Sequence, residues 1–174
     1  EIMHATHKFF MTDRTAYVLV ISPRKEDQAG EGKIEYWLKL IQSYAGTNVP
    51  ILVVINKWDQ HRMDIGKGGL KDKYPQIHNF VETSCKTKYG LNNFSEEVSQ
   101  MALLLPHIND VLPGSWFNIK EILESKNEDY ISYEAYKTIC KEVRPDFQES
   151  DMKILSSELH DLGIMLNFRI EFGE

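Results

Sequence analysis

Over residues 1–105, short runs of continuous apolar residues alternate with stretches in which apolar residues recur every three or four positions. The clearest run is Ile51-Leu52-Val53-Val54-Ile55, mostly β-branched and entered through Pro50. With no polar face, it predicts a strand buried on both sides, as in parallel sheets covered by helices. Residues 16–21 and 79–83 predict two more strands. Between the first two, Ile34, Trp37, Leu38, Ile41 and Tyr44 share a helical face, predicting a helix over 31–45 that Gly46 stops. A loop carrying Gly66, Gly68 and Gly69 follows Asp59, with a weak helix to Tyr74. After a turn at Gly90, a helix is predicted over 93–105, capped by Asn93 with Glu96 completing a capping box. Residues 1–11 read as a short helix. Strand and helix alternating in this way make an α/β half-sheet of the doubly wound kind.

From Pro106 the rhythm changes. Trp116, Ile119, Ile122 and Leu123 mark a helix over 115–126, and a second ends near Val143. A third runs from Ser150, as N-cap, to Leu162, where Gly163 stops it. Residues 164–170 then alternate as a strand, so this mainly helical part resembles a winged-helix module. Charge shifts at the same place: residues 1–105 carry +1 and residues 106–174 carry −7. With Pro106 and Pro113-Gly114 beside it, that shift predicts two domains, 1–105 and 106–174. The content of 42% hydrophobic and 11% aromatic residues is enough for packed cores. No apolar run approaches the roughly 20 residues that span a bilayer, and no signal-peptide pattern is visible. Cys85 and Cys140 form neither metal nor disulfide spacing, which fits a reducing cytoplasm.

The chemistry concentrates where the predicted strands end. Ile55 gives way to Asn56-Lys57-Trp58-Asp59, an amide, an amine and a carboxylate where α/β sheets bind ligands. An ionised carboxylate accepts both adjacent donors of guanine, N1–H and the 2-amino group, whereas adenine offers no such pair. The Asn56 amide can both donate and accept, and the Lys57 stem can cover an apolar or aromatic face. The third predicted strand is followed by Thr83-Ser84-Cys85-Lys86. A phosphate-binding P-loop needs Gly, four residues, then Gly-Lys-Ser/Thr. Gly32-Lys33 and Gly66-Lys67 fail it at both ends, with Asp27 and His61 at the first glycine and Ile34 and Gly68 at the last position.

Asn-Lys-x-Asp followed by Ser-Cys-Lys resembles the base-reading motifs of small GTPases. That resemblance assigns nucleotide binding to Asn56, Lys57, Asp59, Ser84, Cys85 and Lys86, with the Cys85 N–H donating to guanine O6. Residues 1–11, residues 36–41, Pro113 to Lys120 and Leu159 to Ile164 resemble the Roco family more narrowly. They match the back half of its Ras-like Roc domain (1–105) and the first part of its COR domain (106–174). The resemblance implies GTP or GDP as ligand, with Mg²⁺ arriving only with the missing phosphate-binding half. It also implies GTP hydrolysis by the intact Roc domain, a homodimer through COR, and leucine-rich-repeat or kinase domains as possible flanks. It assigns no catalytic residue here.

Other constellations carry less. His4 and His7 lie one helical turn apart, but no third metal ligand joins them. Arg14 could approach a phosphate as arginine fingers do, or be an ordinary loop arginine. Cys85 could be a reactive thiol, though a base-loop role for its backbone accounts for it better. The alternative from another class is a winged-helix module that binds nucleic acid or protein; DNA binding needs basic residues, and the −7 half has only Arg144 and Arg169 as arginines.

Overall fold

In the computed structural model, residues 11–22, 30–126 and 128–167 are described. They divide into two units, Glu1–Asn109 and Asp110–Glu174. The helix expected over residues 1–11 lies almost wholly outside the described residues.

Strand β2 (Ile51–Ile55) is buried at all five positions. It forms the centre of a three-stranded parallel sheet in the order β1 (Tyr17–Ile21), β2, β3 (Ile77–Glu82). Alternate residues of β2 feed two cores. Ile51, Val53 and Ile55 pack with Ile34, Leu38 and Ile41 of helix α1 (Gly30–Ala45) and with Leu70 of α2 (Lys67–Lys73). Leu52 and Val54 pack with Val81 and with Met101 of α3 (Leu91–Ala102). Each such side chain stabilises the fold by about 1.5–3 kcal/mol, so an all-apolar strand is at its best between two helical layers. β1 differs: Tyr17, Leu19 and Ile21 face the α1 side, while Val18 and Val20 remain 40% and 56% exposed. Burial pushes the Tyr17 phenol up to about 12, and its hydroxyl donates to Thr12 O at 2.8 Å.

Several local expectations are corrected. Gly68 and Gly69 belong to α2 rather than to the loop before it. Helix α3 starts at Leu91 behind Gly90, so Asn93 sits inside its first turn and caps nothing. Gly90 is left-handed at φ +70°, which makes its own N-terminal turn and leaves a side-chain cap no place. β3 begins at Ile77 and takes an extra residue against β2, since Ile51 pairs with Ile77 and Leu52 with Asn79.

The second unit is helical among the described residues: α4 (Gly114–Ser125), α5 (Tyr133–Val143) and α6 (Glu149–Asp161). Ile119, Tyr136, Ile139, Cys140, Phe147, Met152, Leu155 and Leu159 are its core. Ser132 caps α5, its hydroxyl accepting from Ala135 N–H at 3.1 Å. α6 starts at Glu149 behind Gln148, one residue ahead of the expected cap, so Ser150 lies within its first turn. Gly163 ends the segment at φ +70°. Ile164–Asn167 form no strand, and the rest of that expected strand lies outside the described residues. No helix among the described residues is long and apolar enough to cross a membrane.

Candidate functional site

Because the sheet is parallel, β2 and β3 deliver their exits to the same edge. Backbone bonds stitch the exits together: Thr83 N–H to Ile55 O at 2.8 Å, Asn56 N–H to Ile21 O at 2.8 Å, and Trp58 N–H to Thr83 O at 3.0 Å. Directly after β2, Lys57 takes a left-handed φ of +61°. That conformation costs a side-chain-bearing residue about 1–2 kcal/mol and turns the chain sharply enough to bring Asp59 back over the edge. Gln60 N–H closes the turn on Lys57 O at 2.9 Å.

The Asn56 side chain faces inward on its oxygen, which accepts from Lys57 N–H at 2.8 Å and, at the 3.5 Å limit, from Thr83 Oγ1. Its amide nitrogen has no partner among the described residues. Ser84 is fully buried; its hydroxyl donates to Asp59 Oδ1 at 2.6 Å and accepts from Thr87 N–H at 3.2 Å. The carboxylate is thus held by one oxygen while Oδ2 makes no hydrogen bond among the described residues. Cys85 and Lys86 are exposed, as is Lys57. The loop after β3 is closed by Ser84 N–H donating to Tyr89 O at 3.0 Å, and Gly90 follows at once. A side chain at Gly90 would drive its Cβ into Glu82 O, so this residue sets how closely the loop folds back on β3.

The six residues singled out from sequence therefore gather at one edge of the sheet. A shallow hollow of about 390 Å³, lined by Trp58, Asp59, Gln60, Arg62, Thr87 and Tyr89, adjoins them and shares only Asp59. The sequence reading did not find the Tyr89 and Thr87 contacts that shape Ser84, since neither residue type signals such a role. Arg14 precedes β1, at the opposite end of the strands and roughly 16 Å of strand from the exits. His4 and His7 lie outside the described residues. Among those described, no group of three or more His, Cys, Asp or Glu could hold a metal ion.

Two family profiles match the chain. "Ras of Complex, Roc, domain of DAPkinase" matches residues 1–59, and "C-terminal of Roc, COR-A domain" matches residues 113–172. A solved structure of Methanosarcina barkeri Roco2 RocCORdC bound to GDP matches with a TM-score of 0.84 and 37% identity, covering 97% of this chain and 50% of that one. The chain is a Roc–COR segment of the Roco family. Among curated relatives, the probable serine/threonine-protein kinase roco5 of Dictyostelium discoideum is 21% identical over 74% of this Roc–COR chain. The Roc-COR-CHAT protease of Runella zeae is 29% identical over 77% of it. The chain spans 5% and 15% of the lengths of those two relatives. The COR-A match falls within the helical second unit, and the Roc match ends at Asp59, the carboxylate of the sheet edge.

Proposed function

We propose that this chain supplies the guanine-reading part of a Roc GTPase together with the first part of COR, in a cytoplasmic signalling protein. In this reading Asp59 accepts N1–H and the 2-amino group, and the Asn56 amide donates to N7. The Cys85 N–H donates to O6, and the Lys57 and Lys86 stems cover the base faces. Ser84 positions the Asp59 carboxylate. The phosphates, Mg²⁺ and the hydrolytic step belong to the phosphate-binding half of the intact Roc domain, where Mg²⁺ neutralises charge on the transferred phosphoryl group. COR would pass nucleotide state to a dimer partner or to flanking domains such as a kinase. The GDP bound to the Methanosarcina relative supports a guanine nucleotide as ligand.

The observation that carries this reading is the half-held carboxylate: Ser84 fixes one oxygen of Asp59 at 2.6 Å and the other stays open at the strand exits. A nucleic-acid role draws no support from a second domain of charge −7.

The test is Asp59→Asn in a Roc–COR protein with the P-loop half joined ahead of Glu1. The amide places a donor against a guanine donor, whereas xanthine, with a carbonyl at C2, fits it. GTP affinity is expected to fall by at least about 2–3 kcal/mol, with xanthosine triphosphate becoming the preferred ligand in titration calorimetry. Unchanged preference for GTP would remove Asp59 from base reading.

A further inference from the structure

The two base-reading loops are joined at a second point, away from the base. After Asp59 the chain runs through buried Ile65 to Gly66 and enters α2, whose first residue is Lys67. The Lys67 ammonium forms an ion pair with Glu82, the last residue of β3, directly ahead of Thr83-Ser84-Cys85-Lys86. The same helix is tied to the other end of β3 by Lys71 Nζ donating to His78 O at 2.9 Å. Glu82 is held on its backbone side as well, because its carbonyl lies against Gly90 where the base loop returns. Glu82 is therefore the fixed post of the base loop, and Lys67 is the end of the segment that begins with Asp59. Neither side chain is among those that would touch a nucleotide.

We infer that the Lys67–Glu82 ion pair is a latch that sets the spacing between the Asp59 loop and the Ser84–Lys86 loop, making both positioning residues for guanine. The inference rests on the reading that guanine binds at this edge. A bidentate contact to the base needs Asp59 aligned while the opposite loop presents its N–H to O6, and small displacements degrade such paired contacts steeply. Ser84–Asp59 fixes the loops at their tips; Lys67–Glu82 fixes them at their roots. With side chains 42% and 26% exposed, the pair is partly screened, so its effect is moderate and salt-sensitive.

The experiment compares GDP with inosine diphosphate, which lacks the 2-amino group, in the same P-loop-bearing Roc–COR protein. Their affinity ratio reports how well Asp59 is aligned. Lys67→Ala and Glu82→Gln are each expected to narrow that ratio roughly threefold to tenfold and to speed GDP release similarly. The exchange Lys67→Glu with Glu82→Lys should restore most of the ratio. Raising salt should narrow it in the unaltered protein and leave Lys67→Ala unmoved. Ratios within twofold of the original in both single variants, even with a lowered Tm, would overturn the latch and leave the base reading standing. Equal affinity of the unaltered protein for both nucleotides would instead overturn the base reading, and the latch with it.

Discussion

Each unit buries polar side chains among apolar ones, but they complete their hydrogen bonds differently. For Tyr136, Ser156 and His160 of the helical unit the bonds close on the protein itself. Tyr136 donates to Met152 O at 2.8 Å, and burial pushes its phenol well above the ordinary tyrosine range. Ser156 donates to Lys153 O at 3.0 Å and accepts from Asn167 Nδ2 at 2.9 Å. His160 Nδ1 accepts from Asn167 N–H at 3.3 Å. Cys140, buried beside Tyr136, has its thiol pushed up by burial and is poorly placed to react. At the sheet edge of the Roc unit, by contrast, Ser84 closes one oxygen of Asp59 and the second makes no hydrogen bond among the described residues. Burial of a polar group therefore does not by itself mark a candidate site; a held group with an open valence is the better guide.

The sharpest way to break that contrast is at Gly90. Gly90→Ala adds a Cβ that must displace Glu82 O, at a φ of +70° that already disfavours any side chain by about 1–2 kcal/mol. The base loop must then move off β3, carrying Ser84 and its hold on Asp59. Guanine-nucleotide affinity should collapse, and stability should fall by at least about 2 kcal/mol in denaturant unfolding. Retained affinity would mean that the loop's closeness to β3 is immaterial to the site.

Much of this was legible because a buried strand writes itself plainly. Five apolar residues in a row fix β2 as central, and a parallel sheet then obliges the next polar residues to share an edge with those after β3. Asn56, Asp59 and Ser84 follow from that rule. The helix starts were less legible. Asn93 and Ser150 have the chemistry of N-caps, yet Gly90 and Gln148 stand at those positions, because loop closure on β3 and the packing of α6 decide where the turns begin. Contacts across sequence, such as Lys67 to Glu82, had no local signal at all.

The closed network of the COR unit is tested by Tyr136→Phe. Removing the hydroxyl deletes its buried hydrogen bond to Met152 O while that carbonyl keeps its bond within the helix, which costs about 0.5–1.5 kcal/mol. The loss should appear in unfolding of the second unit, followed through Trp116, while guanine-nucleotide affinity stays unchanged. A matching loss of affinity would contradict the separation between polar groups that serve folding and those that serve the ligand.

The smallest effect is expected from a polar group that is closed but lies on the surface. Glu35 on α1 accepts from Lys73 Nζ at 2.8 and 2.9 Å, with Lys39 at 3.8 Å. The Lys73 hydrogen bond holds its carboxyl below the ordinary glutamate range, and the same bond to Glu35 holds the Lys73 ammonium above the ordinary lysine range. A depressed carboxylate gives stability that is complete above its unfolded value and is lost as pH falls through the lower folded one. A raised ammonium gives stability complete below its unfolded value and lost as pH rises through the higher folded one. The difference in Tm between the natural protein and Glu35→Gln should therefore be flat between the two ordinary values. It should shrink on the acid side below the glutamate range and on the alkaline side above the lysine range. Because both groups lie at the surface, salt should shrink it as well. A difference that persists undiminished into strong acid would show that Glu35 acts through packing of its stem against α2 rather than through its charge.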